Sequence, residues 1–298
     1  MAFIVSPKTL LNIFLALMLV GLLALVIYEP EKTASPDTKK LTALDPDTVQ
    51  KISIESPGRP SLLLTKKSGH WQMQKPLMMP ANAGRIQQLL KITQAKSIAD
   101  YAMSRADANQ LQLDTPSLSL KLDDVLLRFG TTDALGGSRY VQVGNTVHLI
   151  TDKYSHLMKG AATEFVSPAL LPQGSVIEKL ILPDLRLTQQ NGHWSVDGYE
   201  SEGDADADAI QMLLDEWRHA RAFRVSPIDK DGTIAKENIA ITISKNIDSI
   251  GKQVLRFTVL RDAAGIILQR TEPGIQYHLP LEAGQRLFAL PATVEPAQ

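Results

Sequence analysis

Leu62-Leu63-Leu64-Thr65-Lys66-Lys67-Ser68-Gly69-His70-Trp71 stands in the first half of the chain, and Leu185-Arg186-Leu187-Thr188-Gln189-Gln190-Asn191-Gly192-His193-Trp194 stands in the second. Both read L-x-L-T-x-x-x-G-H-W at one constant spacing, the kind of self-similarity that has to be found before any element is read singly. Within each stretch apolar residues alternate, as in a half-buried strand, until Ser68-Gly69 or Asn191-Gly192 interrupts them. Asn-Gly tolerates positive φ at both positions, which a type I′ hairpin turn demands. Each hairpin is preceded by a strand-like stretch, residues 49–54 and 176–182. Ile86-Gln87-Gln88-Leu89-Leu90 then matches Ile210-Gln211-Met212-Leu213-Leu214, Leu127-Arg128-Phe129 matches Leu255-Arg256-Phe257, and His148-Leu149 matches His278-Leu279. Four matches in the same order imply two related domains.

Asn82 and Asp206 stand where a helix start needs a side chain to accept the orphan N–H bonds of its first turn. The apolar spacing gives the first helix a core face of Ile86, Leu89, Leu90 and Thr93. The second has Ile210, Leu213, Leu214 and Trp217. Short alternating runs follow at 118–122, 125–129, 140–143 and 147–150. The expected class is α+β: an N-terminal transmembrane helix, then two strand-rich domains, each with one principal helix packed on a sheet. The expected boundaries are a short segment 1–9, a transmembrane helix 10–28, a flexible tether 29–46, a first domain 47–160, a linker 161–174, a second domain 175–290 and a tail 291–298.

The membrane expectation rests on residues 10–28, a run without charge in which Asn12 is the one strongly polar side chain. At about 1.5 Å per residue the nineteen residues reach about 28 Å, close to the hydrocarbon thickness of a bilayer. Thirteen of them are Leu, Ile, Val or Phe, worth about 4–8 kcal/mol towards insertion, which outweighs one Asn near the edge. A cleaved signal peptide fits less well, because Val26-Ile27-Tyr28-Glu29-Pro30 lacks a small-x-small cleavage pattern. Lys8 precedes the run, whereas Glu29 and Glu31 follow it at once, with Lys32, Lys39 and Lys40 further on. That balance leans towards a cytoplasmic N-terminus and an exported, periplasmic body at the inner membrane. The chain has no cysteine, which suits an oxidising compartment and equally suits many cytoplasmic proteins. A net charge of -1 gives no electrostatic footprint for nucleic acid.

The arrangement resembles the bacterial domain-of-unknown-function 4340 family. The residues that carry the resemblance are Trp71 closing a hairpin, Pro80-Ala81-Asn82 at a helix start, Leu113 with Pro116, and Leu127-Arg128-Phe129-Gly130 followed by Tyr140-Val141. It covers residues 49–150 closely and 176–290 more loosely. Asn82 replaces the family's Asp, and Gln112 stands where Gly is usual. The second half has no counterpart of Pro116 and no Gly after Phe257. The resemblance implies a membrane-anchored accessory to an ABC-type transporter. It brings no catalytic residue to carry over.

The remaining residues offer few candidates for chemistry. His70 with His193, and His148 with His278, form repeated pairs that could in principle hold metal. Strand alternation, however, turns His70 and His193 away from their Trp neighbours. The acidic stretch 200–208 resembles the start of a calcium loop, but counted from Asp204 the sixth and twelfth positions hold Ala209 and Asp215 instead of Gly and Glu. A helix N-terminus explains the acids more simply. Ser138, in Gly136-Gly137-Ser138-Arg139, lacks the elbow of a nucleophilic serine, and Gly136-Gly137 reads as a turn. Trp71 and Trp194 could stack on sugar rings, but their repetition points to a shared core position. No residue is therefore assigned a catalytic, cofactor-binding or metal-ligating role. The expected function is that of a non-enzymatic accessory or scaffold protein of a transporter or envelope complex. The alternative is an exported protein that binds a glycan, lipid or metabolite in the cleft between the two domains.

Overall fold

The computed structural model describes residues 15–20, 39–134, 136–198, 206–229, 237–245, 252–262 and 265–291. Two antiparallel sheets dominate. The first contains β1 (Lys51–Glu55), β2 (Leu62–Lys67), β3 (His70–Lys75), β4 (Met79–Pro80), β5 (Ser97–Ala102), β6 (Leu118–Leu122), β7 (Val125–Thr132), β8 (Ser138–Val143) and β9 (Thr146–Thr151). Their order across the sheet is β4-β3-β2-β1-β6-β7-β8-β9-β5. The second contains β10 (Ser175–Ile181), β11 (Arg186–Gln190), β12 (His193–Asp197), β13 (Arg224–Pro227), β14 (Glu237–Lys245), β15 (Lys252–Asp262), β16 (Gly265–Arg270) and β17 (Ile275–Pro280). Its order is β12-β11-β10-β14-β15-β16-β17-β13. Apart from β4, the two paths agree strand for strand. The α+β class is correct at this level.

Beside the sheets stand four α-helices, α1 (Ala83–Leu90), α2 (Ser155–Lys159), α3 (Ala207–His219) and α4 (Leu281–Gln285), in addition to the helical residues 15–20. The Asn82 carbonyl oxygen Oδ1 accepts from Arg85 N at 3.2 Å, and the Asp206 carboxylate accepts from Asp208 N at 3.1 Å, so both expected caps are made. α1 buries Ile86, Leu89 and Leu90, with Thr93 in the 3-10 turn that follows. α3 buries Ile210, Leu213, Leu214 and Trp217. Trp217 is fully enclosed, and its Nε1 donates to the Leu287 carbonyl at 2.9 Å, which satisfies the one polar atom of the ring. The hairpin turns also follow the sequence: Ser68, Gly69, Asn191 and Gly192 all have positive φ, between 47° and 82°.

Two boundaries need correction. Residues 39–46 were expected in a flexible tether, yet Leu41 and Thr42 are buried in the first unit. Ser97 N donates to Lys39 O at 2.9 Å and Leu41 N to Ala95 O at 2.8 Å, which straps the chain against the start of β5. The expected linker 161–174 is likewise packed structure. Ala222 N donates to Pro168 O at 2.8 Å and Leu170 N to Ala220 O at 3.1 Å, the same strap pattern at the start of β13. Backbone pairing of this kind is set by donors and acceptors common to all residues, so it leaves little trace in the sequence. On its other side the connector is held to the first unit, with Asn82 N donating to Phe165 O and Ser167 N to Pro80 O. Phe165, Val166, Leu170 and Leu171 are buried, and one continuous apolar core runs from the first sheet through the connector into the second.

Of the run expected to cross the membrane, residues 15–20 are helical and the rest lies outside the described residues. Among the described residues no helix is long and apolar enough to cross a membrane. Residues 292–298 of the expected tail 291–298 and residues 200–205 of the acidic stretch also lie outside them.

Candidate functional site

The repeated Gly-His-Trp hairpins place their two side chains on opposite faces. His70 and His193 are exposed, and the His70 ring nitrogen Nδ1 lies 2.9 Å from Ser68 O. Trp71 is buried, but Trp194 is only partly so, which corrects the expectation of one shared core position. β3 is flanked by β4, whereas β12 is the edge of its sheet among the described residues. Trp194 packs against the core while remaining partly exposed.

His148 and His278 are the buried pair. They occupy the same place in the two sheets: His148 lies opposite Asp100 of β5, and His278 opposite Arg224 of β13. His148 Nδ1 sits 3.1 Å from Ser97 Oγ, whose own proton goes to Ala99 O at 2.9 Å. With the serine proton turned to Ala99, its oxygen is left to accept from a proton on His148 Nδ1. Burial pushes the His148 ring below its ordinary value. Asp100 opposes that shift, and Lys39, which pairs with Asp100 at 3.0 Å, adds to it. His278 Nε2 lies 2.9 Å from Ser226 Oγ and 3.3 Å from Gln276 Nε2, with Arg224 against the ring. Each histidine ties an edge strand to its sheet. No group of three or more His, Asp or Glu side chains suited to a metal occurs among the described residues.

Ser138 lies within β8, and its backbone N–H donates to Asp133 Oδ1 at 3.0 Å. Gly136, at φ 78°, forms the expected turn before it. The neighbouring Arg139 carries a structural junction. It donates to Asp152 at 2.5 Å and to Gly130 O at 2.6 Å. Burial alone would raise the Asp152 carboxyl, but hydrogen bonds from Ser155 and Arg139 outweigh it and hold it below the usual range. The same carboxylate accepts from Ser155 N and Oγ and so starts α2.

Two concavities lie elsewhere, and sequence reading located neither. One, of about 340 Å³, opens between the β1–β2 turn and the segment from α2 into the connector. Ile54, Leu62, Met158 and Phe165 line it, with Arg59 and Ser56 as its polar side chains. Its two walls are about a hundred residues apart in the chain, beyond the reach of any local pattern; the one local sign is Pro57-Gly58-Arg59-Pro60, a cation held in a stiff turn. The other, of about 750 Å³, runs between α3 and the chain from α4 to Pro291. Met212 and Leu290 contribute apolar surface there, and Arg286 pairs with Glu216 at 3.1 Å across it.

Taken together, fold and side chains define a two-sheet α+β protein whose recurring residues cap, turn and pack. The chain belongs to the family described as "Domain of unknown function (DUF4340)", whose family model matches residues 71–230, more than half of its length. The match starts at Trp71, crosses the connector and ends just beyond β13. The family's common region therefore includes the joint between the sheets, and is not one match per sheet. No curated protein and no solved structure matches the chain.

Proposed function

We propose that the chain is a membrane-anchored, non-enzymatic accessory protein that holds its two-sheet body on the exported side of the inner membrane and works through contacts with an ABC-type transporter or envelope complex. The observation that carries this reading is the helical stretch 15–20, where Leu15, Leu17, Met18, Leu19 and Val20 are each 56–66% exposed. Such an apolar surface is at home in lipid or against another apolar helix. The strap at Lys39 adds to it: with the bilayer run ending at Tyr28, about ten residues separate membrane from body, a reach of at most about 35 Å. The shared strand path, the paired straps and the repeated hairpins support reading the two units as copies of one. Purification from native membranes under crosslinking should recover transporter or envelope subunits in fixed proportion. Repeated recovery of the chain alone contradicts the proposal.

A second reading, a protein that binds a small ligand beside the joint of the two units, is favoured by the apolar hollow next to connector residues Ala161 and Phe165. A thermal-shift screen of glycans, lipids and metabolites that gives no hit removes it.

A further inference from the structure

We infer that the hollow between the β1–β2 turn and the connector is a binding site for a small anionic amphiphile, a monoacyl carboxylate of medium chain length. The inference deepens the ligand-binding reading and rests on it. The floor is apolar: Ile54, Leu62, Met158 and Phe165 belong to the continuous core and turn their last exposed surface into the hollow. A volume of about 340 Å³ lies at the small end of ligand sites, too small for a diacyl lipid and suited to one short chain.

Among the lining residues the one charged side chain is Arg59. Arg59, exposed on the β1–β2 turn, lines the hollow and donates from Nη1 to the carbonyl of Lys159 on the facing wall, which brings the guanidinium to the rim. That bond uses one of its five donors, and among the described residues no carboxylate pairs with it. The nearby Glu164 is engaged by Arg85 and by the N–H of Ala161. A planar guanidinium held beside an apolar hollow matches a carboxylate with a hydrocarbon tail: the fork takes the head and the core takes the chain. A neutral alcohol of the same length would gain the second contribution without the first.

The test uses the full chain in lipid nanodiscs and a diazirine-bearing decanoate. Photolabelling should be saturable and should map to residues 158–165 by mass spectrometry. Decanoate should compete for it, and decanol or decylamine should not. Arg59→Gln should lower labelling about fivefold or more, Arg59→Lys should restore much of it, and Ala161→Phe should close the hollow. Labelling elsewhere only, or decanol competing as well as decanoate in the unmodified chain, overturns the inference without reference to any variant. A thermal-shift hit from another ligand class, with no decanoate labelling, overturns it while leaving the broader ligand-binding reading intact.

Discussion

Gly130 shows how a family motif can be geometry alone. A Cβ built there would lie 2.2 Å from the Leu111 carbonyl oxygen and 2.9 Å from the buried Leu113 side chain. The Leu113 loop can therefore seat on β7 only where a glycine stands. Gly130→Ala is expected to cost about 3 kcal/mol, read as a lower midpoint in thermal unfolding. Gln112, where the family usually has glycine, sits at φ 55° in the left-handed region. Gln112→Gly should relieve that strain and raise stability by up to about 1 kcal/mol in the same measurement. His148 makes a pH prediction whose sign follows from its burial. Its folded-state value lies below the unfolded 6.5, so the unfolded chain binds the extra proton first. Its contribution is whole above pH 6.5 and drains away as pH falls through 6.5 towards the folded value. Melting temperature should drop over that window, and His148→Gln should flatten the drop. These residues were legible to different degrees. The glycine was visible as part of a motif, but its contact was not. His148 hid because β9 is enclosed on both faces, with Val147 and Ile150 buried beside it, so alternation could not say where the ring points.

Elements with their own signal were read well. The Asn191-Gly192 turn, the Asn82 and Asp206 caps and the faces of α1 and α3 all carry chemistry that is local in sequence. β4, β5, β13 and the two straps do not. β4 has two residues, and the straps Lys39-Lys40-Leu41 and Pro168-Ala169-Leu170 share only their final leucine. Their role is plain in the structure: each leucine is buried, and each strap pins the start of an edge strand. Leu170→Ala removes core volume where the connector meets both units. It should cost about 2–4 kcal/mol in denaturant unfolding. Because the core is continuous, the two units should still unfold in one transition; two separated transitions in the unmodified chain would show that the joint does not couple them.

At the scale of the whole molecule, the repeated hairpin motif leads to an expectation of two related domains, and the structure has two antiparallel sheets joined by a packed connector. The connector serves as the second unit's strap while it caps the first unit's principal helix, and the family match runs straight across it. The candidate hollow lay beyond sequence reading for the same reason: it forms where the connector meets a distant turn. The proposed membrane setting of this body rests on the uncharged run at residues 10–28, and one measurement bears on it most directly. Membranes from cells making the chain should be washed with alkaline carbonate, and the retained protein weighed intact. The account predicts a pelleted chain of 32.7 kDa with residues 10–28 still attached. A soluble form that begins after Tyr28 would contradict it.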